Sequence, residues 1–565
     1  MKHIEHNVDL CVVGGGMAGL CAAIAAARHG AKVVLMQDRP VLGGNASSEI
    51  RMMIAGAHGE NNREGGLLEE IECENYYINT GLKYTVWDTV LYAKAKAEKN
   101  LTLLLNTSCL DATMYGKKIA SVKGWQLNTE TYHTVHAKYF ADCSGDSILA
   151  PLTGAAYMYG REAKETYGES IAPDVADSCT MGMSCILQAR ETDSPKAFIK
   201  PEWAYTYETE EELKFRKHLP LEKNNYWWIE LGGTGDCIHN SDEYRDEMLK
   251  IAYGVWDHIK NHGDHGADNW ELEWIGMLPG KRESRRYVGR YVINENDVRA
   301  EGKHFDDVVA YGGWTMDDHF PEGFYYKEGV STIWHPAPSP WGIPFRALYA
   351  RDIENLLFAG RNVSVSHVAL SSIRVMATCA LMGQAVGTAV AQMVSDDTTP
   401  DTIDIKKLQA TLLDDDCWLP GYDRARSAAT LSGKITHEVL RDGVERADEH
   451  TALIPVGESA EYVFDAPTEI SGIRLVFDSN LNRTFWQMPK NFVLHEPNYK
   501  PNTEMTRDFD ITLTLEDGSV ETVNVRNNRA RLVKLPMTKT VRRVRFTVLS
   551  TFGAEAARVF TFELY

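Results

Sequence analysis

The chain has 565 residues and 63.4 kDa, more than one hydrophobic core normally serves, so two or three domains are expected. Its 59 Lys and Arg against 79 Asp and Glu give a net charge of −20, which argues against a nucleic-acid-binding surface and for a well-solvated protein. No stretch is apolar for the length of a membrane span, and MKHIEHNVD leaves no room for a cleavable leader before the first apolar run. The ten cysteines include no C-x-x-C pair, so a reducing, cytoplasmic location is expected.

Residues 8 to 39, VDLCVVGGGMAGLCAAIAAARHGAKVVLMQDR, read as a strand, a small-residue helix and a second strand. Gly14, Gly16 and Gly19 meet the G-x-G-x-x-G pattern between the first two. Gly14 permits the tight turn, Gly16 lets a pyrophosphate approach the backbone, and Gly19 lets the helix pack on the strand. The helix N-terminus adds unpaired N–H groups and partial positive charge. A dinucleotide site follows. The second strand ends in Gln37 and Asp38 where Asp or Glu usually holds the ribose hydroxyls, and both residues are candidates for that contact.

Residues 40 to 71 carry the pairs Gly43-Gly44 and Gly65-Gly66 around Asn45, Ser48, Arg51, His58 and Arg63, a polar and backbone-permissive stretch suited to wrapping a ligand. Residues 87 to 99 have helical periodicity and 101 to 105 form a short β run. Three β-like stretches at 108–114, 119–128 and 131–140 read as an antiparallel meander whose last strand enters DCSGD. The block 151–350 interleaves Trp and Tyr with Asp, His, Asn and Arg. That composition serves either a pocket for a polar ring-shaped ligand or ordinary sheet packing. Arg282, Arg285, Arg286, Asp317, Asp318, His319 and His335 are its candidate polar groups. A buried strand at 356–358 leads through Ala359, Gly360 and Arg361 to a long small-residue helix, 375–394, with Gly383 and Gly387 in register.

VVGGGMAGLCAA, QDRPVLGGNASSE, ADCSGDSILAPLTGA, LPGKRESRRYVG and NLLFAGRNVSVSHVALSSIRVMATCALMGQAVGTAVA together resemble the FAD-dependent oxidoreductases related to fumarate reductase and succinate dehydrogenase flavoproteins. Within that group they are more similar to the bacterial type found beside carbohydrate-degrading genes. The resemblance covers roughly residues 8 to 420. It implies FAD, with its adenosine end on the first βαβ unit and its ring facing a separate substrate part. The cofactor-binding residues expected are Gly14, Gly16, Met17, Ala18, Gly19, Gln37, Asp38, Arg39, Gly43, Gly44, Asn45, Ser48, Cys109, Ser144, Gly145, Asp146, Gly360, Arg361 and Gly383. Many flavoproteins have Asp after the Ala-Gly of the returning strand; Arg361 stands there in this chain.

Three residues are expected to be catalytic. His367, in SVSHVALSS, lies between the returning strand and the helix, where imidazole can exchange the proton that accompanies hydride transfer. Arg374 in the same loop can hold a substrate oxyanion or the reduced flavin. His58 is open to three readings: acid or base, covalent attachment to the flavin, or a structural histidine.

After Leu419-Pro420-Gly421 the chain changes character. Residues 421–450 read as a linker and 451–565 as an antiparallel β-sandwich whose pattern, with Asp442-Gly443, resembles galactose-binding-like, discoidin-type modules. The expected layout is therefore an α/β, Rossmann-like FAD domain in two parts, 1–160 and 351–420, with an inserted α+β substrate domain, 161–350. The expected reaction is hydride transfer between flavin N5 and a small polar, carbohydrate-derived substrate. The alternatives are reduction of an unsaturated carboxylate, or a flavoprotein that chiefly binds glycans or partners. No second glycine fingerprint is present, so a separate electron donor or acceptor is required. No nucleic acid or membrane partner is expected, and homo-oligomerisation is left open.

Overall fold

The computed structural model describes residues 1–220, 225–484, 487–494 and 501–565. The chain forms two compact units. The first comprises Met1–His58, Gly81–Leu408 and Trp486–Asn498, and the second Gly59–Thr80, Gln409–Phe485 and Tyr499–Tyr565.

In the first unit, β1 (Lys2–Val13), β2 (Val33–Met36) and β3 (Leu101–Leu104) run parallel, and β6 (Thr131–Asp142) lies parallel to the other side of β1. β4 (Thr107–Tyr115) and β5 (Lys118–Gln126) extend the sheet antiparallel from the first half of β6, and the strand Leu356–Phe358 joins its second half. Leu10–Val13 and Val33–Met36 are buried, as parallel strands covered on both faces must be. The register is informative: Val13 lies opposite Met36 and Asp142, and Phe358 opposite Asp142. Four strands thus end level. Their following loops, at Gly14, Gln37, Cys143 and Ala359, open at one carboxyl edge, where open α/β sheets bind ligands.

Helix α1 (Met17–Arg28) follows β1 and packs against the long helix Met376–Asp396. A Cβ on Gly383 would lie 2.0 Å from the Ala18 carbonyl oxygen, and one on Gly387 2.1 Å from that of Ala22, so the two helices touch backbone to backbone. Among the described residues Met376–Asp396 is the one helix long and apolar enough to cross a membrane, and 94% of its most apolar window is buried in the protein. It is built as a core helix.

A second core in this unit gathers Met183, Leu187, Trp228, Ile229, Met248, Trp256 and Trp270 around the helix Ser241–Asn261. Short antiparallel pairings bring distant segments together here. Met183–Ser184 lies between Glu230–Leu231 and Gly280–Lys281, and Met316–His319 pairs with Thr332–His335.

The second unit is a seven-stranded antiparallel sheet built on two long strands, Ser459–Phe477 and Leu532–Thr551. Tyr462 and Leu475, from opposite ends of one strand, share a core with Phe509, Phe546 and Phe562. The stretch expected as a linker, 421–450, is folded onto this sheet. Ala429 and Leu440 belong to its core, Lys434–Ile435 pairs with Ser459–Phe477, and Ser427 donates a hydrogen bond to the Leu564 carbonyl. Polar composition had concealed these apolar anchors. Likewise the end of the 40–71 stretch belongs to this unit: Gly66–Ile78 is a helix whose Glu69 and Glu72 pair with buried Arg483.

Candidate active site

The glycine turn after β1 is fixed from two sides. Gly14 adopts φ +100, and a Cβ there would lie 2.5 Å from the Cys143 backbone. The Gly15 N–H donates to Gln37 Oε1 at 2.7 Å, and Gln37 Nε2 donates to the Val41 carbonyl at 3.2 Å. The buried Gln37 side chain therefore braces the turn. Asp38, exposed and 3.7 Å from Arg39, is the carboxylate at this strand end. Gly16 caps α1 without a side chain, and a Cβ on Gly44, whose φ is +58, would lie 3.1 Å from the Gly16 Cα, whereas one on Gly16 would be in ordinary contact with Gly44 at 3.9 Å. The result is a backbone-lined cradle at a helix N-terminus, suited to a diphosphate.

The DCSGD turn is organised by two aspartates with different roles. Asp142 is fully buried, and burial pushes its pKa up. It accepts hydrogen bonds from the Ser144 N–H at 2.9 Å, the Leu149 N–H at 2.8 Å and the Tyr287 hydroxyl at 2.6 Å. Asp146 faces Arg361 at 2.5 Å, Lys281 at 2.7 Å and the Ser284 hydroxyl at 2.8 Å. Burial alone would raise Asp146, but the two cations overcome it and hold the carboxyl at about 2. Arg361 thus reaches across to the neighbouring loop instead of leaving an acid after Ala359-Gly360.

These loops enclose a cavity of about 590 Å³. Of the expected cofactor residues, Gly14, Gly16, Met17, Ala18, Gln37, Asp38, Arg39, Gly43, Gly44, Asn45, Cys109, Ser144, Gly145, Asp146, Gly360 and Arg361 line it. Gly19, Ser48 and Gly383 do not. Gly19 packs against the Gly14 carbonyl, Gly383 against α1, and the Ser48 N–H donates to Asp88 Oδ1 at 3.0 Å.

The cavity's other end is aromatic and charged. Trp227, Trp314 and Trp334 line it with Lys281, Arg282, Arg285, Asp317, His319 and Arg374. His319 Nδ1 lies 2.8 Å from Glu230 Oε2, and Nε2 lies 3.6 Å from Asp317 Oδ1. Burial alone would raise the Glu230 pKa, but Arg282 at 3.4 Å and His319 lower it, so the carboxylate stays ionised. Arg374 Nη2 donates to the Asp317 carbonyl at 3.0 Å. The Nε atoms of Arg374 and Arg361 are buried without a hydrogen-bond partner among the described residues. Arg286, by contrast, is fully buried and paired with Glu162 and Glu283 away from the cavity. His335 and Asp318 do not line the cavity either.

Two of the three expected catalytic residues lie off the cavity. His58 stacks on Trp314 with ring centroids 4.3 Å apart, and burial lowers its pKa, which leaves it neutral at pH 7. His367 is 3% exposed, with Nδ1 2.9 Å from Glu283 Oε2 and Nε2 3.2 Å from Asp318 Oδ1. Burial alone would lower its pKa, but the two carboxylates raise it to about 10. It is a charged brace across neutral pH. Because its folded-state pKa is raised, its stabilisation is complete below the unfolded value of about 6.5 and is lost as pH rises through about 10. His367→Gln is therefore expected to cost about 3 kcal/mol at pH 6, a difference that shrinks towards pH 10 in denaturant titrations. A pH-independent difference would contradict the charged brace.

Glu230 and Lys281 escaped the sequence reading, and His319 was only one of several polar candidates. Glu230 sits in YWWIELGG, whose Asn224 flank lies outside the described residues, and no local pattern links it to His319.

The family model for FAD dependent oxidoreductase matches residues 9–412. Among curated proteins, the fumarate reductase (cytochrome) of Shewanella frigidimarina is 59% identical over 40 residues, 7% of either chain. The NADH:acrylate oxidoreductase of Vibrio harveyi is 52% identical over 44 residues, 8% of this chain and 4% of that one. The chain thus spans under a tenth of the length of these relatives. Among solved structures, E. coli quinol fumarate reductase FrdA is 12% identical, covers 74% of each chain and has a TM-score of 0.29. The side-chain-free cradle, the uncapped helix start and the partnerless arginine Nε atoms all fit FAD, and with the family match over most of its length this chain belongs to the FAD-dependent oxidoreductase family.

Proposed function

We propose that this enzyme transfers hydride between FAD and a small polar, carbohydrate-derived substrate held at the tryptophan-lined end of the cavity. The observation that carries this reading is the set His319, Arg282, Arg374 and Asp317 on the cavity wall beside Trp227, Trp314 and Trp334. Bound FAD supplies the two-electron chemistry. The chain's own groups supply the rest. Indole faces pack against the C–H face of a ring, Arg282 and Arg374 bind oxygen substituents, and His319, oriented by Glu230, takes or gives the proton at Nε2. Gly14, Gly16, Gly43 and Gly44 hold the diphosphate, Asp38 the ribose, and Lys281 and Arg361 the centre of the cofactor.

The same two arginines favour a second reading, in which they clamp an unsaturated carboxylate that is reduced. Either way electrons pass to or from a separate partner. The second unit, in pattern, suits a galactose-binding-like module that contacts a glycan.

Visible spectroscopy of the purified protein, before and after acid precipitation, tests the cofactor and its attachment. Under anaerobic conditions the flavin band is expected to bleach with one member of a panel of sugars and uronic acids. Reoxidation of dithionite-reduced enzyme by fumarate or acrylate instead would select the carboxylate reading. A sugar that binds without changing the flavin spectrum would be assigned to the second unit. Folded protein that takes up no flavin from excess FAD would overturn the proposal.

A further inference from the structure

Away from the cavity, Glu210, His218, His258 and His265 converge from the turn Glu210–Leu213, the loop after it, the last turn of helix Ser241–Asn261 and the loop beyond that helix. We propose that these four side chains bind a divalent transition-metal ion of the zinc class. One ligand atom from each lies within 4.8 Å of all the others. His218 Nε2 is 3.0 Å from Glu210 Oε2, and His258 Nε2 and His265 Nε2 are each 3.4 Å from Glu210 Oε1. Metal–ligand bonds of about 2.0–2.1 Å in a tetrahedron place the ligand atoms about 3.3–3.4 Å apart, so the side chains need little movement to close on an ion.

The histidine tautomers point the same way. His258 is 1% exposed, and its Nδ1–H donates to the Tyr207 carbonyl at 2.8 Å, which leaves a lone pair on Nε2 facing the cluster. That Nε2 atom is buried and makes no hydrogen bond among the described residues. A buried imidazole nitrogen without a donor beside two other imidazoles and a carboxylate is an arrangement that a cation completes. His218 Nδ1 is held by the Arg216 carbonyl at 2.5 Å, again presenting Nε2 inward. Carbonyl partners of this kind are the usual outer support of metal-bound histidines. His265 Nε2 lies 3.1 Å from the His262 carbonyl, and metal binding moves its proton to Nδ1. Three neutral imidazoles and one carboxylate suit zinc rather than calcium or magnesium, which favour oxygen ligands.

The surroundings are braced independently of any ion. Thr209 and Glu212 form a reciprocal cap on the turn, and Lys260 Nζ donates to the carbonyls of Ala267, Asp268 and Trp270. None of the four ligands lines the large cavity, so the ion joins a loop to a helix rather than taking part in flavin chemistry.

The test uses the full-length, FAD-loaded protein after dialysis against EDTA. Titration with zinc chloride by calorimetry, with elemental analysis after desalting, is expected to give about one tight zinc per chain, and cobalt to give a tetrahedral visible band. The double variant His258→Gln/His265→Gln is expected to weaken zinc binding by about 100-fold with flavin content unchanged, while His262→Ala leaves it intact. Should the double variant fail to fold, Glu210→Gln decides, because the Glu210 side chain is 66% exposed and its loss is tolerated structurally. No tight zinc in the wild type, or wild-type affinity in Glu210→Gln and in a folded double variant, overturns the site.

Discussion

Gly383→Val is expected to cost about 4 kcal/mol or more, to lower Tm by roughly 10 °C and to release FAD from whatever protein still folds. The cause is geometric. A Cβ at 383 would lie 2.0 Å from the Ala18 carbonyl oxygen, and the obstacle is backbone, so no rotamer change relieves it. The helices must part, and α1 begins at the glycine turn that lines the cavity. Thr388→Val on the same helix is the control. Thr388 is buried and its hydroxyl has no hydrogen-bond partner among the described residues, so that change is expected to be neutral within about 1 kcal/mol. Thermal unfolding followed by flavin fluorescence checks both, and equal Tm values for Gly383→Val and the wild type would show that the helices are not in contact as described.

His319→Gln is expected to lower kcat by about 10²- to 10⁴-fold while leaving flavin content and Tm close to the wild type. His319 is on the cavity wall, its Nδ1 is occupied by Glu230, and its Nε2 lies 3.6 Å from Asp317 Oδ1, a distance at which a substrate oxygen can intervene. Glu230→Gln keeps the shape but removes the carboxylate that orients the His319 ring, so it is expected to reduce kcat less than His319→Gln does. Stopped-flow reduction of the flavin by the substrate found in the bleaching screen measures both variants. Unchanged flavin reduction in His319→Gln would remove His319 from the chemistry and with it the reading of this wall as the reacting end.

The parts of this site that were legible in the sequence are those whose geometry is local. The glycine turn, the small-residue helix and the DCSGD and AGR loops carry their function within a few residues of a strand end, and the strands end level because parallel neighbours share one register. Gly383 was legible as a glycine but not by role: a position facing a cofactor and one facing another helix both demand the absence of a side chain. The His319–Glu230 pair was not legible, because 89 residues separate the partners and the strands that carry them, Glu230–Leu231 and Met316–His319, are too short to show a periodicity. His367 was expected in a loop near the reacting ring, but it opens the short helix His367–Ile373 off the cavity, and the carboxylates that lock it come from Glu283 and Asp318, in segments whose pairing only the fold reveals. The 421–450 stretch misled for the opposite reason, since two apolar side chains suffice to anchor a polar segment.

The contact between α1 and Met376–Asp396 also sets a timetable for synthesis. The surface of α1 that receives the late helix is made about 360 residues before its partner, roughly 20–70 s at ordinary elongation rates. Over that interval α1 can pack against β1, β2, β3 and the helix Tyr84–Ala97, while the surface that meets Gly383 and Gly387 waits for its partner. A contact of such sequence separation forms late, so the α1 surface facing Gly383 and Gly387 is completed after the strand contacts of the same helix.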